Sequence, residues 1–245
     1  LSVAAHELKT PLASLMGHAQ LALKRLEREG PLDADRVAGA LGTIADQSKR
    51  LSRLLSHLLD VTRLETGRLT LEREPADLAA LVRRSVETVQ ALTRRHTITL
   101  RAAERLDVWG DALRLEQVLT NLLDNAVKFS PGGGAIDVVL LELPGGADGP
   151  GGAGVAGGEP DAGARGPVAE LSVRDHGLGV PAGQRDQLFE RYFQAHADEH
   201  RSGMGLGLYV CREIVQLHGG EIISEFPPDG GTRFVVRLPA GDPAL

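Results

Sequence analysis

The sequence predicts an α+β chain in which a helical hairpin precedes a layered domain, with helices on one face of a mixed sheet. Three observations carry that prediction. A helical apolar pattern runs from Leu1 to Glu65 and is broken only at Gly30-Pro31. Its second half has the period of a coiled-coil seam rather than of a globular surface helix. Beyond Gly67, short strand-like runs alternate with shorter helical patterns, as in an α+β layer. The chain therefore divides at 1–66 and 67–245, with a flexible Gly- and Pro-rich insertion at 144–167.

Composition narrows the class. Of 245 residues 42% are hydrophobic but only 3% aromatic, so the core must be built from Leu, Val, Ile and Ala. A formal charge of −6 offers no basic face for nucleic acid. The one cysteine, Cys211, excludes an internal disulfide, fits a reducing compartment and reads as a small core residue of the last helix. No apolar run approaches the ~18 residues of a membrane helix, and no signal-peptide pattern is found. The first residue is Leu and lies within a helical pattern, so the chain reads as a cytoplasmic fragment. Any link to a membrane is expected only through an upstream region.

The first helix, Leu1 to about Arg28, carries the stripe Leu8, Leu12, Leu15, Ala19, Ala22 and Leu26. Asp33 caps a second helix from Ala34 to Glu65, in which Val37, Leu41, Ile44, Ser48, Leu51, Leu55, Leu58 and Thr62 repeat at alternating spacings of four and three. One hairpin leaves that stripe unburied. Two copies close a four-helix bundle, so a homodimer is expected. Gly67 ends the second helix. A strand at Leu69–Glu72, a helix from Asp77 to Leu92, a strand at Thr97–Arg101 and a helix from Asp111 to Phe129 follow. Strands at Ala135–Leu143 and Val168–Arg174 flank the insertion. A helix from Gly205 to His218 and strands at Glu221–Phe226 and Thr232–Leu238 close the chain.

Several constellations bear chemistry. In His6-Glu7-Leu8-Lys9-Thr10-Pro11-Leu12 an imidazole and a hydroxyl share a helix face beside a carboxylate, and Pro11 should kink the helix there. Asn121, Asn125 and Lys128 recur at four and three on one face, opposite Leu115, Val118, Leu119, Leu122 and Val127. The carboxamides suit Mg²⁺ and the ammonium suits phosphate. Asp175-His176-Gly177-Leu178-Gly179 sets a carboxylate at a strand end, then glycines that let a flat ligand approach. Gly203-Met204-Gly205-Leu206-Gly207 leads into a helix N-terminus, where backbone N–H groups attract phosphate.

Taken in order with Leu188-Phe189-Glu190-Arg191-Tyr192-Phe193, these five motifs resemble the histidine, asparagine, first glycine, phenylalanine and second glycine boxes of sensor histidine kinases. The resemblance covers nearly the whole chain outside the insertion. It implies a dimerisation and phosphoacceptor domain followed by an ATP-binding α/β sandwich of the gyrase and HSP90 type. His6 would then be the phosphoacceptor, Glu7 its acid/base, and Thr10 the residue positioning water for dephosphorylation of a partner response regulator. Asn125 would ligate Mg²⁺, with Asn121 and Lys128 near the phosphates. Glu116, on the turn before Asn121, would orient a metal-bound water or act as a base behind the metal's own ligands. Asp175 would hold the adenine amino group, with Gly177 and Gly179 lining the base pocket. Gly203, Gly205 and Gly207 would end the ATP lid, and Arg191 would reach the γ-phosphate. Ala5, Lys9, His176 and the order Tyr192-Phe193 depart from the family pattern without removing a chemical group.

The implied activity is ATP-dependent autophosphorylation on His6 and transfer to an aspartate of a response regulator. The rivals are a catalytically silent ATP-binding dimer and a hydrolytic ATPase of the gyrase or HSP90 type. His18, His57, His96 and His218 read as surface or helix-end residues, and His196 with His200 as a weak metal pair. The insertion is expected to be dispensable: replacing 144–167 with a short linker should leave activity unchanged, and a large loss would refute this.

Overall fold

A computed structural model describes residues 2–29, 33–145, 166–195 and 204–241, with the backbone alone for residues 2–6 and 29. The described chain forms two compact units. One holds the residues up to Arg68 and the described part of Tyr192–Leu206; the other holds Leu69–Arg191 and the chain from Gly207.

The first unit is a hairpin of α1, Ser2–Glu29, and α2, Ala34–Glu65. Asp33 caps α2 by accepting the Arg36 amide at 2.8 Å. At the other end Gly67 turns left-handed, φ 62°, so that its amide reaches Leu64 O and the Arg68 amide reaches Arg63 O. These paired bonds satisfy the last carbonyls of the helix. On α2 only Leu54, Asp60 and Val61 are buried. None of the predicted seam residues is: Val37, Leu41 and Leu55 are 38%, 60% and 47% exposed within this single chain.

The second unit contains β1 (Glu74–Asp77), α3 (Leu78–Leu92), β2 (His96–Ala102), β3 (Asp107–Gly110), α4 (Ala112–Phe129), β4 (Gly134–Leu143) and β5 (Val168–Asp175). A short 3-10 helix (Ala182–Gln187), α5 (Gly207–Leu217), β6 (Glu221–Glu225) and β7 (Thr232–Pro239) complete it. Five strands form a mixed sheet in the order β2-β4-β5-β7-β6, parallel only between β2 and β4. Along β4 the residues alternate: Ile136, Val138 and Leu140 are buried, while Asp137, Val139 and Leu141 are not. The helices α3, α4 and α5 lie side by side against the sheet. The other face carries paired charges, with Arg237 bridging Glu170 and Glu221 at 2.9 Å each and Arg233 meeting Glu225 at 2.7 Å.

Several expectations need correction. No strand forms at Leu69–Glu72; the pairing partner of β3 is β1, which begins at Glu74, and the Glu72 amide bonds to Asp111 Oδ2 instead. The strand β3 itself was not foreseen. Helix α5 starts at Gly207, because Gly205 has φ 66° and cannot be helical. Residues 146–165 of the predicted insertion lie outside the described residues. Its described ends meet where Leu143 pairs with Val168.

Of the histidines read as surface or helix-end residues, His96 and His218 are buried, and His218 does stand at the end of α5. His96 Nε2 meets Ser130 O at 2.8 Å, just past the end of α4. His218 donates from Nδ1 to Ile214 O at 2.7 Å, and its Nε2 accepts the Asp111 amide at 3.0 Å. Asp111 in turn caps α4 through the Arg114 amide. The neutral tautomer of His218 is thus built into the start of α4.

Burial holds the His218 pKa below its ordinary 6.5, with Arg73 adding to the shift and Ile214 O and Asp111 opposing it. Between the lowered folded value and 6.5 the unfolded chain holds more protons. Stability contributed here is therefore complete above about pH 6.5 and is lost as pH falls below it. Urea unfolding on either side of about pH 6.5 should show this slope. His218→Phe should flatten it and cost about 1–3 kcal/mol by orphaning the Asp111 amide.

Candidate functional site

Asp175 ends β5 on the face of the sheet that packs against the helices, opposite Thr232 of β7. It is only 4% exposed, and burial raises its carboxyl pKa above the usual value despite hydrogen bonds from Gly177 and Thr232. The Gly177 amide reaches its Oδ1 at 2.9 Å. The chain then runs tightly against the end of α4. The Leu178 amide bonds to Phe129 O at 3.0 Å, and a Cβ on Gly177 would lie 2.1 Å from that oxygen. Gly179, with φ 65°, passes Gly231. A Cβ on Gly231 would lie 1.9 Å from Asp175 O, so Gly231 belongs to the site although none of the sequence motifs included it. A diglycine after proline and aspartate was the available signal.

Helix α4 supplies the polar wall. Its apolar side, Leu115, Val118, Leu119, Leu122, Leu123 and Ala126, is buried, while Asn121, Asn125 and Lys128 are half-buried on another side. Leu123 and Ala126, rather than the expected Val127, complete the buried stripe. Lys128 Nζ lies 4.7 Å from the centre of the Phe129 ring. Glu116 precedes Asn125 by nine positions, which at ~100° per residue is about half a turn, so the two flank the buried stripe from opposite sides. The helix does not bring Glu116 to Asn125.

Arg191 stands over the Tyr209 ring of α5 at 4.9 Å, with Arg212 also against that ring at 5.6 Å. Gly205 crosses Tyr192 and Phe193: the Tyr192 amide bonds to Gly205 O, and a Cβ on Gly205 would lie 2.5 Å from Phe193 O. Tyr192 itself has φ 63°, a strained conformation for this residue type. Gly203, His196 and His200 lie outside the described residues, and no metal-binding cluster occurs among the described ones.

In the hairpin, His6 lies within α1. Glu7 is half-buried, and its Oε2 faces Arg50 Nη2 of α2 at 3.7 Å. Among the described residues that oxygen has no hydrogen-bond partner, and Arg50 is the cation that faces it. Nothing in the sequence had marked Arg50. Thr10 is exposed, and Pro11 is buried inside the helix.

The donor set suits a nucleotide. A buried carboxylate can accept an amino group, and amide and ammonium groups stand on one helix beside it. Comparison with known proteins agrees. The model for the His Kinase A (phospho-acceptor) domain matches residues 1–67, and that for the histidine kinase-, DNA gyrase B- and HSP90-like ATPases matches 110–242. This chain belongs to the sensor histidine kinases. Its C-terminal domain is an ATP-binding domain of that superfamily.

The signal transduction histidine-protein kinase/phosphatase MprB of Mycobacterium sp. (strain KMS) is 35% identical over 246 residues, covering 98% of this chain and 43% of that protein. The protein of the same name from Mycobacterium avium (strain 104) is 33% identical, covering 96% and 42%. The chain thus spans less than half the length of these curated relatives. A solved mycobacterial sensor histidine kinase MprB superposes with TM-score 0.54 at 29% identity, over 69% of this chain and 97% of that one. Acinetobacter baumannii AdeS shares the fold over 97% of this chain and 98% of that one, with TM-score 0.63 at 22% identity.

Because burial raises the Asp175 pKa above 3.8, the folded chain holds more protons than the unfolded one between those values, and ionisation at higher pH costs stability. Asp175→Asn should therefore unfold no more easily than the parent at neutral pH. That advantage should vanish as the pH is lowered, which urea titrations at several pH values would reveal.

Proposed function

We propose that this chain autophosphorylates on His6 at the expense of ATP and passes the phosphoryl group to an aspartate of a response regulator. What carries the reading is the pairing, on one chain, of a phosphoacceptor helix with an ATP-binding domain. Residues 1–66 form the dimerisation and phosphotransfer domain and 67–245 the catalytic domain. Support for a homodimer comes from the heptad seam, which the single chain leaves exposed.

In the proposed reaction an imidazole nitrogen of His6 attacks the γ-phosphorus of ATP. The N–P bond forms as the bond to the bridging oxygen breaks, ADP leaves, and Glu7 accepts the ring proton. Arg50 steadies Glu7 from the neighbouring helix. Asp175 accepts the adenine amino group, with Gly177 and Gly179 shaping the loop around it. Lys128 and Arg191 meet the phosphates, for which Arg191 must leave Tyr209. Asn125 is the residue to hold Mg²⁺, which when bound neutralises phosphate charge. Since His6 and the ATP-binding residues belong to different units, transfer calls for movement of one domain against the other. The reaction belongs in the cytoplasm, where ATP is available, with any membrane anchor in a part of the parent protein outside this chain.

Incubation with labelled ATP should give an acid-labile, base-stable phosphoprotein, and His6→Gln should abolish the label. Thr10→Ala should keep the label and slow only dephosphorylation of the regulator. Labelling that survives His6→Gln would refute the assignment. Steady phosphate release independent of His6 would favour the hydrolytic ATPase, and ATP binding with no transfer the silent regulator.

A further inference from the structure

We propose that Arg174 and His176, the residues on either side of Asp175, are positioning residues. Each is tied to an aspartate of another element, and the two pairs together hold the Asp175 carboxylate where it selects adenine over a 6-oxo purine. This deepens the reading of Asp175 as acceptor of the adenine amino group and rests on it. Arg174 Nη2 donates at 2.6 Å to Asp229 Oδ2, in the turn between β6 and β7. His176 Nε2 donates at 3.0 Å to Asp137 Oδ2 of β4. Thr99 of β2 gives its hydroxyl to Asp137 Oδ1 at 2.6 Å, so both oxygens of Asp137 are engaged.

The arrangement follows from strand alternation. Thr99, Asp137 and Arg174 stand opposite one another across β2, β4 and β5, on the charged face of the sheet. Asp175, one position on, is buried on the helix side. Side chains on one face thus fix the backbone that carries the site on the other. The turn bearing Asp229 presses on the same stretch: a Cβ on Gly231 would lie 1.9 Å from Asp175 O and 2.9 Å from His176 Cα. Thr99 and His176 hold the Asp137 carboxyl below its ordinary range, and Arg174 does so for Asp229, so both stay ionised at neutral pH. His176 departs from the family pattern, and it is the far nitrogen of its ring that reaches Asp137, so a smaller side chain would fall short.

The affinities of ATP and of inosine triphosphate separate positioning from general damage. Inosine carries a carbonyl where adenine carries the amino group, so it offers Asp175 no N–H. Both are measured on the whole chain, well below its unfolding temperature. Asp137→Ala, His176→Ala and Asp229→Ala should each weaken ATP by about two- to fivefold, as fits partly exposed pairs, and leave inosine triphosphate unchanged. Combining His176→Ala with Asp137→Ala should lose no more than Asp137→Ala alone, because the two share one pair. Combining Asp137→Ala with Asp229→Ala should multiply the losses, to about tenfold. Arg174→Ala should match Asp229→Ala, and Arg174→Lys should recover part of the loss. Equal weakening of both nucleotides would overturn the proposal, as would unchanged ATP affinity in the Asp137–Asp229 double variant.

The Gly177 amide, which donates to Asp175 Oδ1 at 2.9 Å, reports the same support without a nucleotide. Its hydrogen exchange in the free chain should speed up in Asp137→Ala and Asp229→Ala, and an unchanged rate would also overturn the proposal. If Asp175→Ala keeps the parent's preference for ATP over inosine triphosphate, it is the adenine reading that fails, and the exchange rate still decides whether the two pairs hold Asp175.

Discussion

The carbonyl oxygen of Phe129 accepts the Leu178 amide at 3.0 Å, and this bond decides how closely the loop after β5 runs to the end of α4. A methyl group at position 177 would collide with that oxygen, so the loop can close only on glycine. Asp175 stands immediately before the loop and is held by its amide. At its other end α4 is fixed by Asp111, whose own amide is held by the neutral imidazole of His218. With both ends pinned and one face buried, the rotation of α4 is settled. Asn121, Asn125 and Lys128 must then present one particular side.

The glycines of the site share a cause. At Gly177 the group that occupies the missing side chain's place is the Phe129 carbonyl; at Gly207 it is the Asn121 carboxamide, and at Gly231 the Asp175 carbonyl. Close approach was expected of a flat ligand at Gly177 and Gly179; at Gly177, Gly207 and Gly231 the approaching group is the chain itself. The site is thereby shaped before any ligand arrives, which lowers the ordering cost of binding. Asp175 makes the opposite contribution. Its burial disfavours the ionised form, a cost that the hydrogen bonds from Gly177 and Thr232 partly offset.

The two faces of the five-stranded sheet follow from the same alternation. Inward residues of β4, β5 and β7 are mainly aliphatic, with Phe234 among them and Asp175 and Thr232 at one end, and pack under α3, α4 and α5. The outward face carries paired charges, Arg237 with Glu170 and Glu221 and Arg233 with Glu225, each pair worth little alone, beside an apolar row in which Val139, Val235 and Ile223 share one register with Ser172. The hairpin has no such resolution. Leu12, Met16, Leu23, Leu41, Leu55 and Leu59 remain 46–61% exposed in one chain, an apolar surface that asks for a partner helix.

Periodicity alone determined α1, α2, α3 and α4, together with their caps at Asp33, Asp77 and Asp111, because helix period and capping chemistry act within a few residues. The same local logic exposed β4, β5 and β7 and the motif residues His6, Asn125 and Asp175. It misplaced the strand before α3, since Leu69–Glu72 alternates apolar and polar while β1, Glu-Pro-Ala-Asp, does not, and only the pairing with Asp107–Gly110 makes β1 the strand. It read His96 and His218 as surface or helix-end residues, which suits His218 at the end of α5, but it missed their burial because nothing nearby in sequence tells which distant carbonyl or amide an imidazole will meet. Arg50, Gly231 and the binding of Asn121 to α5 were hidden for the same reason. Each is defined by a partner at least 40 positions away, and long-range contact is decided by packing rather than by local pattern.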